Sequence, residues 1–258
     1  MGYQDMKIRL NKEKSIGKVL FVVEGGKTES YILHRIFCKI LDYQMETFLR
    51  DKGYDKYNSK ENPTSQVFVI NAEESNIKYI EKDNEYLNNL FRELIENYDF
   101  DVDNAAIYYL FDRDNKSNTD KEFIENLLSI LGNSRDNGFE RQGMLLLSYP
   151  SIEAFTLSNF VRESFEQKFS TGHKLKLHLH EHKVNQSNIT EATLLQATEA
   201  MFESINDIGI EDVNVDAFGE TNKDIFYYEE NVYVKEKAYR ALSLVTIALI
   251  DLGLLEIE

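Results

Sequence analysis

The chain has 258 residues, with 45 Asp and Glu against 29 Lys and Arg, for a net charge of −16. Apolar residues make up 42%, enough for a real core, and only 12 Gly and 2 Pro leave little room for long disordered linkers. The single cysteine, Cys38, excludes an internal disulfide. So acidic a surface also excludes a nucleic-acid binder that works by bulk positive charge, because backbone affinity comes from Lys and Arg. The polar start, Met1–Lys7, reads as no secretory leader. The apolar stretch Ala241–Leu255 is too short to span a bilayer. A cytoplasmic protein with no membrane contact is therefore expected.

The first predicted element is Val19-Leu20-Phe21-Val22-Val23, a continuous apolar, β-branched run typical of a strand buried on both faces. It ends at Glu24, followed by Gly25-Gly26-Lys27-Thr28-Glu29. A phosphate-binding P-loop would need glycine at position 21, where Phe21 stands, so the glycines read as a tight strand-to-helix turn. A helix is expected over 29–41, with Cys38 buried on it. Residues 42–65 are polar and read as an insertion loop. Gln66–Ile70 is the second strand, and a long helix is predicted from about Asn76 to Tyr98.

The third strand covers 105–111 and runs into Asp112-Arg113-Asp114. In an extended segment both aspartates point the same way and Arg113 points the other. A helix follows over 120–132, then a fourth strand over 143–148, then Ser148-Tyr149-Pro150-Ser151-Ile152-Glu153 opening another helix. Helical patterns recur at 151–169, 190–206 and 235–252, with polar stretches over 170–189 and 209–233 between them. Within the first, Lys174–His180 alternates like an amphipathic edge strand with Lys and His outside. There His178, His180 and His182 would share a solvated face rather than hold zinc.

Alternating strands and helices predict an α/β fold on a mostly parallel sheet, flanked by helices, with a helical C-terminal appendage. The division is a catalytic α/β domain over 15–160 and an appendage over 161–258. In a parallel sheet Glu24, Asp112 and Asp114 would meet at the carboxyl ends of strands, where open α/β folds bind ligands. Three carboxylates there would repel unless a divalent cation sat between them, which is the chemistry of metal-assisted phosphoryl transfer.

The pattern strand–Glu24–Gly25–Gly26–Lys27–Thr28–Glu29, then Phe111–Asp112–Arg113–Asp114, then Ser148–Tyr149–Pro150–Ser151–Ile152–Glu153, resembles RloB-type abortive-infection and phage-defence proteins. That family is similar to the wider TOPRIM group of topoisomerases, primases and OLD-family nucleases. The resemblance covers about residues 18–160, and departs from the family at Tyr149, where an Asn is usual. It implies a TOPRIM-like nuclease with Mg²⁺ (or Mn²⁺) held by Glu24, Asp112 and Asp114. The expected catalytic set is Glu24, Asp112, Asp114 and Glu153, with Lys27 and Glu29 as further binding residues. The expected partners are a DNA or RNA substrate and a partner ATPase, with a homo-oligomer left open. The other reading is an effector or sensor subunit of an anti-phage system, inactive until that partner switches it on.

Overall fold

The computed structural model describes residues 6–46, 54–71, 92, 95–97, 104–114, 120–135, 143–211 and 213–257. The helix predicted over 76–98 lies largely outside them.

Four strands form the centre of the main sheet: β2 (Lys18–Val23), β5 (Gln66–Asn71), β6 (Ala106–Asp112) and β8 (Gly143–Tyr149). Their apolar side chains are buried on both faces, with Phe21, Tyr108, Tyr109 and Phe111 at most 2% exposed. A fully buried side chain of this size contributes about 1.5–3 kcal/mol, so these runs fix the sheet's interior. All four are parallel: β5 and β6 flank β2, and β8 lies beyond β6.

The edges differ from expectation. β3 (Gln44–Met45) and β4 (Tyr54–Asn58) extend the sheet antiparallel from β5, inside the stretch expected to be a loop. On the other side β7 (Gly132–Asn133) and β11 (Leu242–Ser243) pair antiparallel with β8. The sheet is therefore mixed, not mostly parallel, in the order β11-β8-β6-β2-β5-β4-β3. Short, half-polar strands such as Tyr54–Asn58 carry too little hydrophobic signal to be read alone, but pairing with the buried β5 completes their backbone hydrogen bonds.

Helix α1 (Thr28–His34) follows β2 and continues as a π-helical segment, Arg35–Ile40. It packs on the sheet through Phe37, which lies 5.9 Å from Phe21 and 6.0 Å from Tyr57 between ring centroids. Cys38 sits on this segment half-buried, and burial pushes its thiol up to about 11, so it is no nucleophile at neutral pH. Helix α2 (Lys121–Ile130) starts at Asp120, whose side chain accepts the Phe123 N–H, and buries Ile124, Leu127 and Leu128.

Beyond β8 the chain is mainly helical: α3 (Glu153–Ser158), α4 (Gly172–Glu181), α5 (Glu191–Asp207), α6 (Phe218–Glu236) and α7 (Val245–Asp251). It also returns to earlier strands. Besides β11 on β8, β12 (Leu255–Ile257) pairs with β1 (Ile8–Leu10), and β10 (Tyr239–Arg240) pairs with β9 (Lys168–Phe169). The predicted helix over 151–169 is thus cut to six residues, and the one over 235–252 begins only after two short strands.

Two polar stretches turn out helical. The expected edge strand at 174–180 is α4, because Leu175 and Leu179, four apart, are buried while Leu177 is 48% exposed. The Thr171 side chain caps it by accepting the Lys174 N–H. The stretch over 209–233 holds most of α6, whose buried face carries Asn222, Glu229 and Glu230 among Phe218, Ile225 and Phe226. Among the described residues, no helix is long and apolar enough to cross a membrane.

Candidate active site

The chain leaves β2 to form β5 on one side, then returns to form β6 on the other. The connections therefore part in opposite directions between β2 and β6, at the carboxyl ends of both strands. A sheet of this kind opens a crevice at such a switch point. Glu24, one residue past β2, and Asp112, the last residue of β6, meet there. The Asp112 backbone N–H donates to Glu24 Oε2 at 2.7 Å, and the Glu24 N–H donates to the Leu110 carbonyl at 3.2 Å.

The remaining predicted residues gather around this pair. A cleft of about 690 Å³ is lined by Lys27, Glu29, Asp112, Asp114 and Glu153 from the predicted set, with Asn71, Ser151, His173 and Lys176 besides; Glu24, 5% exposed, is not among the lining residues and reaches the cleft only through its bond to Asp112. Every acidic side chain is held by a donor. Asp112 Oδ1 accepts the Ile152 N–H at 2.8 Å. Asp114 Oδ2 accepts the Gly172 N–H at 3.0 Å, tying β6 to the start of α4. Glu29 Oε1 accepts the Gly25 N–H at 3.2 Å across the turn. Glu153 Oε2 accepts from Ser151 Oγ at 2.8 Å.

The glycines make these approaches possible. A Cβ on Gly25 would lie 2.8 Å from both Glu29 carboxylate oxygens, and one on Gly172 would lie 2.7 Å from Ser151 Cβ and Oγ.

Arg113 points away, as the extended geometry predicts. It is 3% exposed, its Nε lies 2.9 Å from Glu230 Oε1 on α6, and its guanidinium stands over the rings of Phe226 and Tyr239. It anchors the back of the Asp-x-Asp segment and has no part in the cleft.

The cleft is electrostatically loaded. Burial, and then the charges of Glu24, Glu29 and Glu153, hold the Asp112 carboxyl well above the usual carboxylate range. Glu29 is raised chiefly by burial, with Glu153 adding to the rise and the Gly25 N–H and Lys176 opposing it. Lys176 Nζ lies 3.5 Å from Glu153 Oε1, but its side chain is 66% exposed, so this ion pair is weak.

Hard oxygen donors of this kind suit a hard divalent cation, and mutual repulsion is what such a cation would relieve. Each donor bond also leaves its carboxylate further acceptor capacity. The donors have the chemistry a divalent cation takes, but among the described residues no three His, Cys, Asp or Glu side chains are grouped so as to hold one.

Compared with family models, curated proteins and solved structures, the chain matches none.

Four cleft residues were not singled out in the sequence. Asn71 had a readable signal, since it follows the second predicted strand as Glu24 follows the first. Ser151 lies inside the quoted motif without a role. His173 and Lys176 had none, because their helix reads as a strand. The three histidines do not share the one face expected of a strand: His178 and His182 lie a helical turn apart and stack at 4.1 Å, and the His178 pKa is lowered by burial and then by His182.

Proposed function

We propose that the cleft hydrolyses phosphodiester bonds of nucleic acid with the help of Mg²⁺ or Mn²⁺, in a TOPRIM-like arrangement of the kind the RloB-type resemblance implies. The observation that carries this reading is the contact at the switch point, where Glu24 accepts the Asp112 N–H at 2.7 Å with Glu29, Asp114 and Glu153 around them. Glu24, Asp112 and Asp114 would hold the cation. When bound, it would polarise the scissile phosphate and lower the pKa of an attacking water.

The chain's own residues have separable tasks. Glu24 positions the Asp112 backbone. Asp112 holds a proton more tightly than an ordinary aspartate because it is buried and because three carboxylates stand near it, and it would give up that proton beside a positive charge. Glu29, raised by burial, is suited to take a proton from water as a general base. Lys27 and Lys176 at the cleft offer ammonium groups to phosphate oxygens.

The net charge of −16 supports a second form of the same reading, an effector that meets its substrate only beside a basic partner such as an ATPase. Incubating purified protein with plasmid DNA and with total tRNA, with Mg²⁺ or Mn²⁺ and beside Asp112→Asn, tests both. Cleavage by wild type alone supports the nuclease and names the nucleic acid. No cleavage by wild type removes the solitary nuclease, and co-purification of an ATPase would then support the partner-activated form.

A further inference from the structure

A second hollow, of about 480 Å³, adjoins the cleft and shares Lys27 and Asn71 with it. Its walls follow from two periodicities. Residues 27, 30, 31 and 34 recur at i, i+3, i+4 and i+7, so Lys27, Tyr31 and His34 lie on one face of α1, while Glu29, Ile32 and Leu33 are buried. On β5, Val69 and Asn71 point to the same side, and Asp55 of β4 stands directly opposite Val69 in the antiparallel register. The hollow is the wedge between that helix face and the outer strands.

The lining has a distinct chemistry. Tyr31 is 41% exposed and offers a flat aromatic face. Among the described residues, the Asn71 Oδ1 is buried and has no hydrogen-bond partner. Asp55 Oδ2 takes a long bond of 3.3 Å from the Tyr57 hydroxyl and retains acceptor capacity. A bare phosphate does not suit a site containing Asp55, and an apolar ligand would leave the Asn71 oxygen unpaired. A flat ring with N–H donors on its edge and a phosphate directed toward Lys27 meets each of these groups.

We propose that this hollow binds a nucleobase carrying an exocyclic amino group, the base of the nucleotide adjoining the phosphate in the cleft. The base stacks on Tyr31 and donates to Asp55 and Asn71. The proposal rests on the phosphodiesterase reading and specifies its substrate. Two acceptors favour guanine, adenine and cytosine over uracil, which has one ring N–H and otherwise presents carbonyls.

Calorimetric titration of the whole chain with 5′-GMP, 5′-AMP, 5′-CMP, 5′-UMP and ribose 5-phosphate, without divalent cation, tests it. The three amino-bearing nucleotides are expected to bind at least about tenfold tighter than 5′-UMP or ribose 5-phosphate, and Tyr31→Ala to weaken them about tenfold, as loss of base stacking does. Asp55→Asn, which adds a donor, is expected to narrow the gap to 5′-UMP. Equal binding of ribose 5-phosphate, no binding at millimolar nucleotide, or affinities unchanged in folded Tyr31→Ala and Asn71→Ala would overturn the proposal. The titration needs no cleavage. Base-selective binding by a protein that hydrolyses nothing alone would keep the hollow and remove the solitary nuclease. Hydrolysis with KM unchanged in Tyr31→Ala would do the reverse.

Discussion

Glu24 Oε2 accepts the backbone N–H of Asp112 at 2.7 Å across 88 residues of sequence, so a buried carboxylate at the switch point builds the position of an acidic residue that lines the cleft. Glu24→Gln keeps an acceptor there and removes the charge. It should lower cleavage by about 100-fold or more while the protein melts near the wild-type temperature. Glu24→Ala leaves the Asp112 N–H unpaired in a buried place, which should cost about 1–3 kcal/mol in denaturant unfolding. Equal stability of the two variants would remove the positioning role.

Asp112 is held by Ile152 and pressed by three neighbouring carboxylates, so its two simplest substitutions should part company. Asp112→Asn retains an acceptor for the Ile152 N–H, relieves repulsion and should melt at or above the wild-type temperature, with no cleavage. Asp112→Ala loses that bond, worth about 1 kcal/mol net. Millimolar Mg²⁺ or Mn²⁺ should raise the melting temperature of wild type and leave that of Asp112→Asn unmoved, because a cation stabilises only the fold that binds it.

Arg113 and Glu230 form an ion pair in which both side chains are almost fully buried. Arg113→Met leaves the Glu230 charge stranded and should destabilise the protein by about 3–5 kcal/mol. Arg113→Met with Glu230→Met should recover most of that loss. Denaturant midpoints of the two proteins decide it.

Gly172 is where α4 meets the cleft. A methyl group there would stand 2.7 Å from Ser151 Cβ, an atom fixed to the backbone, and 3.4 Å from Asp114 Oδ2. Gly172→Ala should cost about 1–3 kcal/mol by overpacking. It should also weaken the hydrogen bond that Gly172 donates to Asp114, seen as faster amide exchange at residue 172.

Burial pushes the Glu229 carboxyl on α6 up to about 8, against the opposing Arg240 N–H and guanidinium. In the unfolded chain it titrates near 4.5. The folded protein therefore holds a proton that the unfolded chain has released between those values. The stabilisation is complete below the lower value and is lost as pH rises through the upper one. Melting temperature should fall from pH 5 to pH 8 in wild type. Glu229→Gln, which can still accept the Arg240 N–H, should flatten the fall and gain at least about 1 kcal/mol at pH 8. Parallel curves would remove Glu229 as the cause.

The strands that carry the cleft were legible because Val19–Val23, residues 105–111 and residues 143–148 are apolar without interruption, and burial on both faces demands that pattern locally. The carboxylates at their ends, and the opposite aim of Arg113, follow from strand period alone. Helix α4 was hidden because Leu175, Leu177 and Leu179 also alternate, and only packing shows that Leu177 is the exposed one. Helix α6 was hidden because its buried face carries Glu229 and Glu230, which meet the Arg240 backbone N–H from the strand just beyond the helix and the Arg113 side chain from a distant segment. Residues near in sequence thus determined which strands form and which chemical groups stand at their ends. Strand order, the antiparallel edges, the Glu24–Asp112 contact and the arrival of Lys176 at the cleft were decided only by tertiary structure, because each depends on a pairing between segments whose local patterns carry no mark of one another.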